Sequence, residues 1–449
     1  MPAPGATRLR ASALGAFLVL TGAVAAAAAQ ALPDLGPGVS VSALRAGGVA
    51  IVRPAAGAPV AAVELWFRAP STGFGPKPAP GLARLAAQAV AGSKPLVGAT
   101  LGSLVTDAGG RLAIAVYGDS VSVSAVVPAG AAPRVVRGMT TAFFAPVLTE
   151  DGFRQAQRDV RQESLLATFD PETVVRNAVF GQLFSDGPQH YPVLAAPKDA
   201  GGVAIGDVRA FAVRAFRSAN ATLVVSGAVD ASIAGAAVAG RPVTADAGPE
   251  APVAPSLAVA PGSVTQPFSQ ASGGYGWVGP PIADPREATA MDFIADYLFR
   301  ADDGLVTRRA AERYPESFVV GQFITLHDPG VMFVAFSGKN ATALRGLVDD
   351  GFAAIRTPLD PKAFAAARAS FEYHLLSDLQ TPTQLADNFG WYSVEGDPAY
   401  APGASGTSGA YFKAADALTP AFVASIAQKY LGREPVVVTL QPDAAEKSP

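Results

Sequence analysis

One stretch of the sequence predicts a helix that carries no catalytic or metal-binding side chain: Pro80-Gly-Leu-Ala-Arg-Leu-Ala-Ala-Gln-Ala-Val-Ala-Gly92. The Pro-Gly opening, the apolar stripe of Leu82, Leu85 and Ala89, and the closing glycine are typical of a helix with one buried face. The stretch contains no histidine, cysteine or carboxylate. It therefore offers neither a strong metal ligand nor a general base, and the question is whether such chemistry was ever present.

The bulk composition indicates a globular protein with a large core. Of its 449 residues, 50% are hydrophobic and 16% are charged, which argues against overall disorder and suggests two or three domains. The net charge is -3 and no basic run occurs, so we expect no nucleic-acid partner. The absence of cysteine excludes thiol chemistry and cysteine-based metal sites.

Residues 1–31 are predicted to be a signal peptide. Arg8 and Arg10 precede an apolar run from Ala11 to Ala29, and Ala29-Gln30-Ala31 offers small residues for cleavage. Removal leaves 32 basic and 37 acidic residues. We expect an exported protein, periplasmic or extracellular, with no membrane span after signal removal; an uncleaved anchor is the alternative.

The remaining chain divides into two parts around a segment rich in Pro, Ala and Gly. This segment, 240–262, has no helical or strand period and is predicted to be a linker. It separates an N-terminal domain, 32–239, from a C-terminal domain, 263–443, and residues 444–449 form a tail.

The two parts repeat one pattern. Each has a predicted hairpin followed by a long helix and a closing strand, which predicts an α+β fold of two duplicated domains. In each domain we expect an antiparallel sheet with helices packed on one face. Residues of the long helices recur at one constant offset: Leu148 and Leu359, Phe153 and Phe364, Ala156 and Ala367, and Leu165 and Leu376. The hairpins are Leu112 to Tyr117 with Val121 to Val127, and Phe323 to Leu326 with Val331 to Phe336; the closing strands are Ala221 to Gly227 and Pro435 to Leu440.

With these motifs in order, the chain resembles the peptidase M16 family, which includes insulinase, pitrilysin and the mitochondrial processing peptidase. The resemblance covers nearly all of the chain after the signal. The segments that carry it are Val63-Glu-Leu-Trp-Phe67, Gly81-Leu-Ala83, Ala108-Gly-Gly110, Phe169-Asp-Pro171, Phe184 with His190-Tyr-Pro192, Val208-Arg-Ala-Phe211 and Asn220-Ala-Thr-Leu-Val-Val-Ser-Gly227.

The resemblance implies that this chain has lost the family's zinc site. Active members carry His-x-x-Glu-His directly after Gly-Leu-Ala, where two His one turn apart bind Zn²⁺ and the Glu is the general base. At the three motif positions this chain has Arg84, Ala87 and Gln88. We therefore expect no catalytic residue and no zinc.

Glu163 is the only ligand-type residue that remains at a motif position. It lies on the predicted long helix of the first half, where the family's third ligand is expected, whereas Ala156 replaces a supporting acid on the same helix. Glu163 could also belong to a solvated helix face with Arg161 and Gln162. We hypothesise an ion pair between Arg84 and Glu163, which would place a cation where the metal would sit.

Other candidate residues are few. His190, His327 and His374 share no ligand spacing, so surface or packing roles are favoured over a site assembled across domains. The resemblance further implies that Arg309 contacts peptide substrate, with Phe318 at the aromatic position leading into a strand; the alternative for Arg309 is a helix surface.

The resemblance implies a catalytically inactive subunit. We expect it to pair with an active paralogue bearing His-x-x-Glu-His, forming a heterodimer whose chamber degrades unfolded peptides. An alternative is a stand-alone scaffold that binds peptide or protein without proteolysis. The least favoured alternative is an active metallopeptidase with a relocated site.

Overall fold

The computed structural model describes residues 32–94, 99–199, 202–238, 248–260 and 262–442. The predicted signal peptide, 1–31, and the tail, 444–449, lie outside these ranges. The described residues from Pro33 onward form one compact unit. No helix among them is long and apolar enough to cross a membrane.

The first half alternates strands with helices. Its strands are β1 (Ser40–Ala43), β2 (Val49–Pro54), β3 (Val60–Arg68), β4 (Arg111–Val116), β5 (Ser120–Pro128), β6 (Phe184–Asp186) and β7 (Ala221–Gly227). Its helices are α1 (Leu82–Gly92), α2 (Leu101–Asp107), α3 (Ala132–Phe144), α4 (Glu150–Ala167), α5 (Pro171–Leu183) and α6 (Ile205–Ala215).

The second half follows the same plan. Its strands are β9 (Ser263–Pro267), β10 (Ser272–Val278), β11 (Phe318–Ile324), β12 (Val331–Ser337) and β13 (Val436–Gln441). The short strand β8 (Ser256–Leu257) lies in the predicted linker and pairs with β6. The helices of the second half are α7 (Pro285–Phe299), α8 (Leu305–Arg313), α9 (Ala341–Ile355), α10 (Pro361–Ser377), α11 (Pro382–Glu395), α12 (Ala410–Asp416) and α13 (Pro420–Ile426), which continues as a π-helical turn, Ala427–Leu431.

The second large sheet repeats the order of five of the six strands in the first, and β1 has no counterpart in it. The first has the order β1-β2-β7-β3-β5-β4, and the second has the order β9-β13-β10-β12-β11. Both hairpins are antiparallel, and each half contains one parallel pair, β2 with β7 and β9 with β13. The predicted α+β fold with two duplicated halves is confirmed. The structure differs from the prediction in having one parallel pair in each half. This pair forms because the helices that precede the closing strand bring it back alongside an earlier strand in the same direction.

The halves exchange one helix each, so both faces of each sheet carry helices rather than one. α5 of the first half packs on β10, β12 and β13, whereas α11 of the second half packs on β3 and β7. Glycine permits both close approaches. A Cβ at Gly390 would lie 1.9 Å from Trp66 Nε1, and one at Gly276 would lie 2.2 Å from Val179 Cγ1.

The exchange explains why the central strand β3 is buried on both faces. Val63, Leu65 and Phe67 belong to the core between the first sheet and its own helices. Trp66, on the opposite face, belongs to the core that continues into the second half. The apolar residues of β3 therefore do not alternate with polar ones, as expected for a strand buried on both sides.

Candidate functional site

Helix α1 presents two polar side chains to its neighbours. Between Leu82 and Ala91, every residue is buried except Arg84 and Gln88, which are partly accessible. Because these two residues are one helical turn apart, they project from the same side. Ala87, at the general-base position of the motif, is fully buried and carries only a methyl group.

Arg84 and Glu163 form the hypothesised ion pair. Arg84 Nε donates to Glu163 Oε2 at 2.9 Å, and Nη2 donates to Oε1 at 2.8 Å. Gln88 Nε2 donates to Glu163 Oε2 at 3.4 Å. The Arg84 side chain is 15% exposed and that of Glu163 is 37% exposed. The Glu163 side chain is thus bonded to two residues of α1, and it does not simply point into solvent from the surface of α4.

A backbone carbonyl completes the contacts of the guanidinium. Arg84 Nη1 donates to the carbonyl oxygen of Ile114, in strand β4. α1 packs on both α4 and β4, which brings the helix, the carboxylate and the strand together. All three side-chain nitrogens of Arg84 therefore have acceptors, which holds the planar side chain in one orientation.

These side chains do not fit a zinc ion. Structural and catalytic zinc sites use histidine, cysteinate or carboxylate donors. Here Glu163 supplies one carboxylate, Gln88 supplies an amide, and Arg84 supplies a permanent cation that has no lone pair to donate. Ala156, on α4, is buried and adds no acid. Among the described residues, no three His, Cys, Asp or Glu side chains converge as a metal site.

The three histidines lie in separate environments. The Nδ1 atom of His190 is 2.6 Å from the carbonyl oxygen of Phe184, and that of His327 is 3.0 Å from the carbonyl oxygen of Glu395. His374 contacts two carboxylates, Asp296 through Nδ1 at 3.0 Å and Asp303 through Nε2 at 3.1 Å. The histidines therefore do not come together as one ligand set.

Arg309 and Phe318 lie in neighbouring elements of the second half. Arg309 is on α8, which packs on β11, and Phe318 is the first residue of β11. The side chain of Phe318 is 37% exposed, and β11 is an edge strand. Both residues remain candidates for substrate contact.

The second half also has a polar pair between its long helix and the helix that follows its central strand. His374 on the long helix α10 matches Glu163 on α4, at the same constant offset that relates the other residues of these helices. Asp296 lies on α7, which follows β10 as α1 follows β3. Sequence reasoning missed this pair, although the constant offset could have identified His374.

Four carboxyl groups lie at the contact between α11 and the first sheet. Asp387 on α11 faces Glu64 on β3, and Glu395 at the end of α11 faces Asp119. Glu64 Oε1 and Asp119 Oδ1 receive no hydrogen from any described group. A proton shared within each carboxyl pair would supply the missing donor.

Burial is the main cause of the shifted pKa values in this region. It raises the pKa of Glu64 well above its ordinary value, and the Asp387 carboxylate adds to the shift. Burial and then the Asp119 carboxylate raise the pKa of Glu395 in the same way. Burial also raises the pKa of Tyr117 to about 12. The contact between the halves therefore favours protonated carboxyl groups.

Comparison with known proteins identifies the fold. No family model matches the sequence, and no curated protein matches it. A protease from Helicobacter pylori superposes with a TM-score of 0.77 at 16% identity, over 92% of this chain and 100% of that one. A protein from Alicyclobacillus acidocaldarius described as an M16-like peptidase superposes with a TM-score of 0.73 at 14% identity, over 90% and 98%.

A peptidase M16 inactive domain from Pseudomonas fluorescens also matches. Its TM-score is 0.72 at 18% identity, over 91% of this chain and 99% of that one. The chain is thus a duplicated α+β protein in its architecture. Its particular fold is the M16 peptidase fold, which confirms the predicted resemblance at the level of structure.

Proposed function

We propose that this chain is a catalytically inactive M16-fold subunit of the cell envelope. It pairs with an active paralogue that carries His-x-x-Glu-His and zinc, and the two enclose a chamber that degrades unfolded peptides. This chain contributes chamber wall and peptide contacts, and the partner contributes the chemistry.

One observation carries the proposal: the residue at the first position of the family's metal motif is an arginine, and it forms an ion pair with Glu163. Arg84 makes two hydrogen bonds to Glu163, the one carboxylate at a ligand position. A guanidinium stays protonated at any physiological pH, so it does not give way to a divalent ion. The fully buried Ala87 cannot accept a proton from water. A chain with this site needs another subunit if it is to take part in peptide hydrolysis.

Two further observations support the proposal. The M16 inactive domain from Pseudomonas fluorescens shares the fold over 91% of this chain. The amino-terminal sequence, with Arg8, Arg10 and the apolar run that follows them, is typical of export.

Affinity purification from the native host tests the proposal. The full chain is expressed with a carboxy-terminal tag, the envelope fraction is solubilised, and the captured proteins are identified by mass spectrometry. We expect an M16 paralogue with an intact His-x-x-Glu-His, at equal stoichiometry. The complex should contain zinc and should cleave unfolded peptides.

Substitution in the partner assigns the activity. Replacing the Glu of the partner's motif by Gln should abolish cleavage by the complex, whereas Glu163→Gln in this chain should leave it unchanged. Capture without such a paralogue would contradict the pairing and favour the stand-alone scaffold. Cleavage by the purified chain alone would contradict the inactive assignment.

A further inference from the structure

The outer edge of β4 exposes backbone groups that a second strand could pair with. β4 is the last strand of its sheet, and no described strand pairs with its outer side. Among the described residues, its only sheet partner is β5, in a register that places Ile114 opposite Val123. An unpaired edge of this kind is a template for the addition of an extended peptide.

The register identifies which residues of β4 face outward. The amide of Tyr117 donates to the carbonyl of Ser120 at 2.8 Å, so this pair is a hydrogen-bonded one. Hydrogen-bonded pairs recur at every second residue of an antiparallel ladder. Ala113 and Ala115 therefore bond to β5, whereas the amides and carbonyls of Leu112, Ile114 and Val116 point away from the sheet.

Arg84 donates a hydrogen bond to the middle one of these three outward carbonyls, that of Ile114. Its Nη1 donates to the oxygen of Ile114, and its other two nitrogens are tied to Glu163. The side chain is only 15% exposed, and its hydrogen bond to Ile114 holds it against the strand edge. An incoming strand would have to displace a guanidinium that has three acceptors in place.

We propose that Arg84 closes the β4 edge to peptide, so that this chain holds no peptide strand beside its own degenerate metal position. The guanidinium prevents strand addition in two ways. It removes the central acceptor that a peptide amide would use, and it fills the space in which the peptide backbone would lie. The loss of zinc ligands alone would have left the edge open. The inference rests on the proposed function only for the identity of the strand, an unfolded peptide.

Removal of the guanidinium tests the inference on the isolated full chain. Arg84→Met keeps most of the aliphatic stem and removes all three donors. The probe is the fluorescein-labelled oxidised B chain of insulin, and its binding is measured by fluorescence polarisation. We expect Arg84→Met to bind the probe about tenfold or more tightly than the unsubstituted chain, which corresponds to about 1.4 kcal/mol.

A matched variant separates the edge effect from a change in charge. Arg111 lies on β4 itself and is exposed, and its side chain has no hydrogen bond or ion pair with the part of the chain that the structure describes. Arg111→Met removes the same charge from the same region but leaves the contact between Arg84 and Ile114 intact. We expect it to bind the probe as the unsubstituted chain does.

Hydrogen exchange measured by mass spectrometry locates the bound peptide. With probe present, the segment Arg111–Val116 should become protected in Arg84→Met and should remain unchanged in the unsubstituted chain. Protection of this segment by probe in the unsubstituted chain would overturn the inference, and this measurement needs no folded variant. Equal probe affinity of a folded Arg84→Met variant would also overturn it. Neither result depends on a partner subunit, so failure of the proposed pairing remains distinguishable.

Discussion

Each half joins its long helix to the helix that follows its central strand through a polar pair, but the carboxylate lies on the long helix in the first half and on the shorter helix in the second. In the first half the cation lies on the shorter helix and the carboxylate on the long one, Arg84 with Glu163. In the second half the carboxylate lies on the shorter helix and the imidazole on the long one, Asp296 with His374. Each pair joins the helix that follows the central strand to the long helix of the same half.

The difference between the pairs lies in their surroundings. The second pair is more deeply buried, with side chains 11% and 13% exposed, against 15% and 37% in the first. The first pair also reaches a strand edge through Ile114, whereas Asp296 and His374 are linked to Arg300 and Asp303. Both halves thus keep a polar contact between the same two helices, and only the first of these contacts reaches a strand edge.

The largest expected effect is the gain of a metal site in the first half. Side chains at positions 84 and 88 both reach Glu163, so Arg84→His together with Gln88→His should place two imidazoles beside one carboxylate. We expect this double variant to bind one zinc per chain, measured by elemental analysis after dialysis. Adding Glu163→Gln should remove the zinc. Zinc retained without that carboxylate would show that the two helices do not converge on it.

The next effect is a loss of stability in the second half. His374→Ala leaves Asp296 buried with only Arg300, 3.8 Å away, as a charged partner among the described residues. Breaking a mostly buried polar pair should lower the free energy of unfolding by about 2–3 kcal/mol, measured by urea denaturation. A cost no larger than that of Arg84→Ala would contradict the difference in burial between the two pairs.

Arg84→Ala should have a smaller effect on stability, measured in the same urea titration. Its partner Glu163 is 37% exposed and is solvated once the guanidinium is gone. The expected loss is about 1 kcal/mol, at the upper end for accessible ion pairs. Arg154→Ala, which breaks a helix pair 64% exposed on both sides, is the matched control and should cost about 0.3 kcal/mol or less.

The smallest effect at neutral pH is expected at the contact between the halves. A carboxyl group with a raised folded-state pKa binds its proton more tightly in the folded protein. Its stabilisation is therefore full below the unfolded value, about 4.5 for Glu64, and is lost as pH rises from there through the folded-state pKa. Glu64→Gln keeps the shape, removes the titration, and should flatten the fall of unfolding free energy at higher pH. A Glu64→Gln profile as steep as that of the unsubstituted chain would rule out the raised pKa.

Local patterns were sufficient to predict the duplication. The constant offset between the halves placed α4 and α10 correctly, and alternation identified the hairpin of β4 and β5. β2 and β9 were missed because their parallel partners, β7 and β13, are distant in sequence. The residues of β2 also do not alternate between apolar and polar. The exchange of α5 and α11 was missed for a related reason. Glycines such as Gly276 and Gly390 indicate that another element packs closely against the backbone, but the sequence does not show which element it is.

The side chains of the candidate site could be predicted from the sequence, whereas its backbone contact could not. Register against the family motif identified Arg84, Ala87, Gln88 and Glu163, and the structure brings Arg84, Gln88 and Glu163 into contact. The carbonyl of Ile114 could not be predicted, because every residue has such a group and only the strand register shows which ones are free. The carboxylates that contact His374 were missed because they lie on elements far from it in sequence, and no local spacing links them.

Zinc analysis of the isolated, unsubstituted chain most directly tests whether the metal position is occupied by a salt bridge. The full chain is incubated with excess Zn²⁺, dialysed, and assayed for bound metal beside a Glu163→Ala variant. The account predicts that both proteins retain only background zinc. One zinc per unsubstituted chain, lost in Glu163→Ala, would contradict it.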